Sequence, residues 1–248
     1  MQKLKMSLVS IFLLSTSCFI AKLPNEAHST AVVKKIKKAR PISTLEAIDV
    51  YSNLDFEGVQ PLSEEVFQIA YLGYQNLKKQ AIVPENQHLL SICDFSLSSN
   101  VKRFWVIDVE NKKVLFNTLV AHGKGTGEEF AEKFSNTENS HKSSLGFYTT
   151  DITYQGSNGY SLRLKGWDKG YNDAAYQRAI VMHGADYVSE DFAQKHKRIG
   201  RSWGCPALPR EIAIEVIDTI KGGNVLFVYY PQKRYLLSSQ WLKGEMPN

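Results

Sequence analysis

Apolar positions follow two different periods along this chain, and the period changes near residue 89. Between Val66 and Leu77 apolar residues recur at spacings of three and four, which predicts an amphipathic helix with one buried face. Before it, the Ser-x-x-Glu sequence that starts at Ser43 is typical of a helix N-terminus and predicts a short helix to about residue 54. Residues 43–85 are therefore predicted to form a small helical N-terminal segment.

From residue 89 onward, short apolar runs separated by turn residues predict β-strands. Residues 103–109 and 114–120 read as two strands joined by a polar hairpin loop. The remaining predicted elements are strands at 89–95, 144–154, 161–166, 179–182 and 224–230, and helices at 189–197 and 209–220. This pattern predicts a mainly β domain with a few helices over residues 89–235, followed by a C-terminal tail at 236–248.

The first residues have the features of an export signal. Lys3 and Lys5 precede an apolar run, Met6 to Ala21, that is too short and too rich in Ser and Thr to cross a bilayer. We therefore predict a signal peptide within residues 1–29, whose cleavage position the sequence does not determine, and a basic linker at 30–42. Lipidation of Cys18 is an alternative way to hold the chain at a membrane. Either reading predicts an exported protein of the periplasm or cell-wall space.

Composition and charge exclude several functional classes. Of the 248 residues, 43% are hydrophobic and 22% are charged, which excludes a disordered chain and a multispan membrane protein. Eight basic residues and one acidic residue precede residue 41, so that of the formal net charge of +5 only −2 remains for residues 41–248. The predicted domain is thus nearly neutral, and we expect no binding to nucleic acid.

The candidate chemistry is that of a cysteine nucleophile. An apolar strand is predicted to end in His183-Gly184, and Gly204-Cys205 lies shortly before a predicted helix. A neighbouring imidazole or a helix N-terminus lowers the pKa of a thiol and provides thiolate at neutral pH. Cys93 lies in an apolar strand, where a buried structural cysteine is expected. His122 also precedes a glycine at a strand end and is the alternative candidate for the base.

These residues resemble a known family signature. His183-Gly184, followed by the segment Gly200–Ala207 (GRSWGCPA), resembles the L,D-transpeptidase catalytic domain (YkuD-type), and most closely its exported murein branch. The resemblance covers about residues 100–230 and leaves the N-terminal helices outside. It implies a β-sandwich or barrel fold, peptidoglycan stem peptides as the substrate, Cys205 as the acylated nucleophile and His183 as its base. It implies no cofactor and no metal.

The resemblance also suggests supporting residues. The N–H groups of Gly204, Cys205 and Trp203 are expected to hold the oxyanion, with Ser202 as a further backbone support. Arg201, Gly184 and His122 are candidates for substrate binding. Two positions depart from the broader family: Trp203 stands in place of a histidine, and Ala207 stands where an arginine or asparagine is common. The departures leave the nucleophile in place and put the binding of substrate carboxylates in doubt.

The expected reaction is therefore acyl transfer through a thioester at Cys205, with release of terminal D-alanine and transfer to an amine or to water. Two alternatives stay open. A cell-wall cysteine peptidase of another fold would normally place its cysteine before its histidine, the reverse of the order here. A non-catalytic peptidoglycan-binding protein would keep the fold without a reactive thiol. We expect a monomer that contacts a membrane only through its signal peptide or a lipid anchor.

Overall fold

The computed structural model describes residues 42–243 and builds them around one eight-stranded sheet. The strands are β1 (Leu89–Asp94), β2 (Phe104–Asp108), β3 (Lys113–Thr118), β4 (Gly146–Gly156), β5 (Gly159–Gly166), β6 (Val181–Ala185), β7 (Ala207–Pro209) and β8 (Val225–Tyr229). The helices are α1 (Ile42–Ser52), α2 (Glu64–Lys79), α3 (Glu190–His196), α4 (Arg210–Ile220) and α5 (Lys233–Ser238), followed by a 3₁₀ turn, Gln240–Leu242. The predicted signal peptide, Cys18 and nearly all of the predicted basic linker lie outside the described residues.

The sheet is nearly closed on itself. Its strand order is β3-β2-β1-β8-β4-β5-β6-β7, with parallel pairing only at β1–β8 and β6–β7. The chain after β3 returns to the opposite edge, where the Ala121 N–H donates to the Ala207 carbonyl oxygen at 2.9 Å. Since most ladder partners are thereby satisfied, few strand edges remain open. The prediction of a mainly β fold with a few helices, preceded by helices at the N-terminus, is confirmed.

Helix α2 is part of the hydrophobic core. Its apolar stripe is buried, in agreement with the predicted spacing, and Gly73 faces the ring of Phe147 on β4. A methyl group at position 73 would lie only 2.0 Å from that ring, which also stacks on Phe227 at a centroid distance of 4.2 Å. The small residue therefore allows the helix to approach the sheet closely.

The structure changes the predicted boundaries near the candidate site. The strand predicted at 179–182, with His183-Gly184 at its end, is observed as β6, which begins at Val181 and continues to Ala185, so that His183 and Gly184 lie inside it. The three-residue strand β7 is not predicted at all, because so short an element has no readable period. Its parallel pairing with β6 places Ala207 directly opposite His183.

The two ends of the described chain also differ from expectation. Residues 236–243 are predicted as part of a tail, but they include the end of α5 and the 3₁₀ turn, and Trp241 is buried. The Trp241 indole N–H donates to the Trp167 carbonyl oxygen at 2.8 Å. At the other end, Ser43 lies inside α1 instead of preceding it. Within residues 42–243, no helix is long and apolar enough to cross a bilayer.

Candidate active site

The predicted nucleophile lies on a loop between α3 and β7, here called the nucleophile loop (residues 200–206). Gly204 has φ +122°, a conformation that side-chain-bearing residues rarely adopt. A Cβ atom there would also lie 2.8 Å from the Lys142 carbonyl oxygen. Both the backbone conformation and the close approach thus require glycine immediately before Cys205.

Hydrogen bonds within and around the loop fix its shape. The Ser202 hydroxyl donates to the Cys205 carbonyl oxygen at 2.6 Å and accepts from the Gly204 N–H at 3.0 Å. The Ser143 hydroxyl donates to the Gly204 carbonyl oxygen at 3.2 Å and accepts from the Gly123 N–H at 3.0 Å. Ser143 thus links the nucleophile loop to Gly123. The sequence analysis did not identify this residue, because it lies some 60 residues before the loop in the chain.

The Cys205 thiol lies against the start of β6. Its Sγ atom accepts from the Val181 N–H at 3.5 Å and lies 3.9 Å from the Ala179 carbonyl oxygen. Burial raises the pKa of the Cys205 thiol, whereas the Val181 N–H and the charge of Arg178 lower it. Because burial is the largest effect, the thiol is mostly protonated at neutral pH and needs a base.

His183 is held in one tautomer beside this loop. It is 4% exposed, and its Nδ1 atom lies 3.0 Å from the Gly184 carbonyl oxygen. Since a carbonyl oxygen only accepts, Nδ1 carries the proton and Nε2 is the basic nitrogen. Burial lowers the pKa of His183, so the imidazole is neutral at pH 7. Ala207 is the residue opposite His183, and Cys205 precedes it by two positions, with its thiol at Val181, two residues before His183 on β6. No hydrogen bond joins the Cys205 and His183 side chains.

A cavity gives access to His183. It has a volume of about 250 Å³ and is lined by His183, Gly184, Tyr187 and the Asp186–Arg210 ion pair, together with the β4–β5 turn. Gly184, a candidate for substrate binding, therefore lines a space next to the imidazole. Its carbonyl oxygen also orients the histidine ring.

His122 is a buried structural residue. It is 1% exposed; Arg103 Nη2 donates to its Nδ1 at 2.8 Å, and its Nε2 faces the Gly127 carbonyl oxygen at 3.4 Å. Burial, together with the charge of Arg103, lowers the pKa of His122 to about 3. With both nitrogens engaged, the ring has no free hydrogen-bonding position, and a part for His122 in substrate binding stays a prediction.

The Arg201 guanidinium forms hydrogen bonds within the protein. Its Nη1 atom donates to the Gly127 carbonyl oxygen at 2.8 Å and to Glu128 Oε1 at 2.7 Å. Arg198 pairs with the other oxygen of Glu128 at 3.0 Å. Both arginines therefore share one counter-ion, and neither provides an unpaired cation for a substrate carboxylate.

Of the predicted oxyanion donors, the structure leaves two backbone groups available. The Gly204 N–H donates to the Ser202 hydroxyl, so its part in oxyanion binding stays a prediction. The N–H groups of Trp203 and Cys205 have no acceptor among the described residues. The Trp203 side chain is 73% exposed and stacks on His141 at a centroid distance of 5.0 Å. Its indole therefore lies at the surface next to the nucleophile.

The other described cysteine is inaccessible. Cys93 is fully buried in β1, and burial raises the pKa of its thiol. The two cysteines are free, so they form no disulfide with each other. Within residues 42–243, no group of three or more His, Cys, Asp or Glu side chains is arranged to hold a metal ion.

Arg178 is a residue near the site that the sequence analysis missed. It precedes β6, and its charge and the Cys205 thiol affect each other's pKa. No motif marks it, because it lies 27 residues before the cysteine and only the fold brings the two together.

Comparison with known proteins gives one family and a set of solved structures. The sequence profile of the L,D-transpeptidase catalytic domain matches residues 59–229. The match includes α2, which the sequence analysis placed outside the resemblance, and ends with β8. No curated protein is significantly similar in sequence.

The similar solved structures share little sequence with this chain. An L,D-transpeptidase (LdtMt1) in complex with imipenem is 15% identical over 57% of this chain and 59% of that chain, with a TM-score of 0.36. An L,D-transpeptidase from Mycobacterium smegmatis is 15% identical over 58% of this chain and 59% of that chain, with a TM-score of 0.36. An L,D-transpeptidase fragment from Xylanimonas cellulosilytica is 13% identical over 75% of this chain and 90% of that chain, with a TM-score of 0.33. The matches thus span about three fifths of the first two structures.

Proposed function

Because the chain belongs to the L,D-transpeptidase catalytic domain family, we propose that it is an exported acyltransferase that acts on peptidoglycan stem peptides through Cys205. The observation that carries this proposal is the arrangement of Cys205 and His183. A partly buried thiol lies on a rigid glycine-containing loop and accepts from the Val181 N–H. His183, a neutral imidazole with a fixed tautomer, lies two residues further along the same strand. Such a pair can activate a thiol for attack on an acyl carbon.

The first half-reaction forms a thioester. His183 Nε2 takes the thiol proton, and Cys205 Sγ attacks the carbonyl carbon that joins the third residue of a tetrapeptide stem to its terminal D-alanine. The C–S bond forms and the C–N bond breaks. The proton held by His183 passes to the leaving amine, so that D-alanine departs and the acyl group stays on Cys205.

The second half-reaction releases the acyl group. The amine of another stem, or water, attacks the thioester carbonyl and loses a proton to His183. The new C–N or C–O bond forms, the C–S bond breaks, and His183 returns the proton to Sγ, which restores the Cys205 thiol. The cavity beside His183 supports this step, because it brings solvent-accessible space to the imidazole. An amine acceptor yields a cross-link, and water yields a trimmed stem.

The oxyanion is proposed to bind to the nucleophile loop. The N–H groups of Trp203 and Cys205 remain available, and the Ser202 hydroxyl keeps the loop in the shape that presents them. One such donor typically contributes about 3 kcal/mol to transition-state stabilisation.

Incubation of the purified protein with a disaccharide-tetrapeptide tests the proposal. Intact mass spectrometry should show an acyl adduct on Cys205, and product analysis should show free D-alanine with either cross-linked dimer or disaccharide-tripeptide. The Cys205→Ser variant is the matched control and should give neither. A folded protein that shows no adduct and no product would overturn the proposal in favour of a non-catalytic peptidoglycan-binding protein.

Export rests on the sequence of residues 1–29, which supports a signal peptide. The mature protein is proposed to act in the periplasm or cell-wall space, where peptidoglycan is found. Fractionation of cells that express the full chain tests this part, since an exported protein should leave the cytoplasmic fraction with its first residues removed.

A further inference from the structure

Arg178 holds a segment of chain around the nucleophile loop. Its half-buried guanidinium donates to the Ser135 carbonyl oxygen at 2.9 Å and to the Lys142 carbonyl oxygen at 2.7 Å. It also donates to the hydroxyl groups of Ser144 and Ser140. All four partners belong to residues 135–144, here called the clamped segment. One side chain thus fixes both ends of that segment.

The clamped segment touches the nucleophile loop directly. The Lys142 carbonyl oxygen, which accepts from Arg178, packs so closely on Gly204 that no Cβ atom would fit between them. Ala179, the residue after Arg178, has φ +53°, and its carbonyl oxygen lies 3.9 Å from Cys205 Sγ. Arg178 therefore reaches the nucleophile from two sides, through Lys142 and through its own chain neighbour.

No carboxylate neutralises this arginine. Its four hydrogen-bond partners are carbonyl and hydroxyl oxygens, and within residues 42–243 no carboxylate lies at ion-pair distance. Arg198 and Arg201, by contrast, share Glu128. A half-buried cation without a counter-ion exerts a stronger field on its surroundings than a paired one.

Several titratable groups surround Cys205, and they differ in charge. His183 on β6 is neutral at pH 7, and burial raises the pKa of Tyr187 after β6 to about 12. Lys142 and His141 belong to the clamped segment. The Lys142 backbone carbonyl accepts from Arg178, and the His141 ring stacks on Trp203. Arg178 is thus the cation that the fold secures near the thiol.

We propose that Arg178 is a positioning residue that holds the clamped segment against the nucleophile loop and supplies the positive charge that stabilises the Cys205 thiolate. An opposite charge close to a thiolate favours its ionised form. The inference rests on Cys205 as the nucleophile of the proposed function, but it does not depend on peptidoglycan as the substrate.

Alkylation of Cys205 in the full chain tests the charge directly. Rates with iodoacetamide are measured from pH 6 to pH 10, and peptide mapping restricts the readout to Cys205. We expect Arg178→Gln to move the pH midpoint of the alkylation rate upward. Arg178→Lys keeps the charge but loses the guanidinium group that makes the four hydrogen bonds, so its midpoint should stay nearer to that of the wild type. Arg234→Gln, which removes an exposed arginine on α5, is the matched control and should not move it.

A purely structural role predicts a different result. It would lower the thermal stability of both Arg178 variants and leave the pH midpoint of alkylation at its wild-type position. That outcome overturns the assignment of the charge to Arg178. The disaccharide-tetrapeptide experiment is read separately, so its failure would count against the substrate and not against Arg178.

A second measurement needs no variant. Iodoacetate is an anion and iodoacetamide is neutral. A cation at the thiol therefore raises the alkylation rate with iodoacetate relative to that with iodoacetamide, and added salt screens the effect. We expect the ratio on the wild-type protein to exceed that of free cysteine by at least about three-fold at low salt and to fall toward it at 1 M salt. A ratio equal to that of free cysteine at all salt concentrations overturns the proposal.

Discussion

The surroundings of individual side chains favour one of two similar candidates for each role in the proposed chemistry. Cys205 and Cys93 are both free thiols, and His183 and His122 both precede a glycine. Their surroundings differ. Cys205 lies on the nucleophile loop and His183 lines a cavity, whereas Cys93 and His122 are fully buried in the interior of the protein. This contrast leads to three predictions at the level of single residues.

The first prediction concerns the thiol. Cys205→Ser should abolish acyl-enzyme formation with tetrapeptide and leave the fold nearly unchanged, because a hydroxyl is a much weaker nucleophile than a thiolate. Intact mass spectrometry and a thermal melt check both parts. Cys93→Ser should keep its activity and lose about 1–3 kcal/mol of stability, the typical cost of burying an unpaired hydroxyl. An active Cys205→Ser variant would contradict the mechanism.

The second prediction separates the two histidines. His183→Ala should slow acylation by roughly 10²–10⁴-fold, the usual contribution of a general base. His122→Ala should instead leave Arg103 with one fewer partner and lower the unfolding temperature, while the folded fraction keeps its acylation rate. Single-turnover acylation rates, corrected for the folded fraction, distinguish the two. The reverse result would make His122 the base.

The third prediction concerns inhibitors. A carbapenem contains a strained acyl carbon that a thiolate can open, and the ring-opened product stays attached where D-alanine would leave. We expect imipenem or meropenem to leave a stable adduct on Cys205, and penicillins to react more slowly or to give a labile adduct. Intact mass spectrometry with peptide mapping is the measurement. An adduct on Cys93 would contradict the choice of thiol.

Among the elements, helix α2 shows how closely the helical segment and the sheet depend on each other. A Gly→Ala change inside a helix normally stabilises it by up to about 1 kcal/mol. At Gly73 the added methyl group would meet the buried ring of Phe147 at 2.0 Å. Overpacking of this kind costs about 1–3 kcal/mol, so Gly73→Ala should be destabilising. Urea unfolding monitored by circular dichroism gives the sign.

A second substitution provides the control for this prediction. Phe147→Leu removes part of the ring and should cost stability alone, but it should relieve the clash in the double variant. The double variant is therefore expected to be less unstable than the sum of the two single variants. Strict additivity, or a stabilising Gly73→Ala, would contradict close packing of α2 on the sheet.

At the scale of the whole molecule, His122 makes stability dependent on pH. Its pKa is about 3 in the folded protein, because of burial and then the charge of Arg103, and about 6.5 in an unfolded chain. Between these values the unfolded chain binds a proton that the folded protein does not bind. Stability is therefore lost as pH falls below 6.5, by about 1.4 kcal/mol per pH unit.

Urea unfolding at pH 7 and pH 5 checks this effect. His122→Gln can still accept from Arg103 and donate to Gly127 but does not titrate, so the wild type should lose about 2 kcal/mol more than this variant over the two pH units. His196→Gln, at an exposed position on α3, should behave like the wild type. An equal loss in all three proteins would show that His122 does not control acid stability.

Much of this protein could be predicted from its sequence, because the relevant signals are local. The three-to-four spacing of α2, the two-residue period of the strands and the turn residues between them depend on neighbours a few positions away. The segment Gly200–Ala207 likewise keeps glycine and cysteine adjacent on one loop, so the candidate nucleophile is visible without a structure. The fold class, most elements and the family all follow from such signals.

The tertiary structure decided everything that depends on residues far apart in the chain. Strand β7 exists only because β6 and Ala121 pair with it, so its three residues show no pattern of their own. His122 and His183 look alike in sequence and both are buried, and only the structure shows that Arg103 bonds to His122 whereas a cavity adjoins His183. Ser143 bonds to the nucleophile loop, and Arg178 bonds to the segment packed on that loop, from distant positions in the chain. Packing, desolvation and charge act through space, and the order of residues does not record those distances.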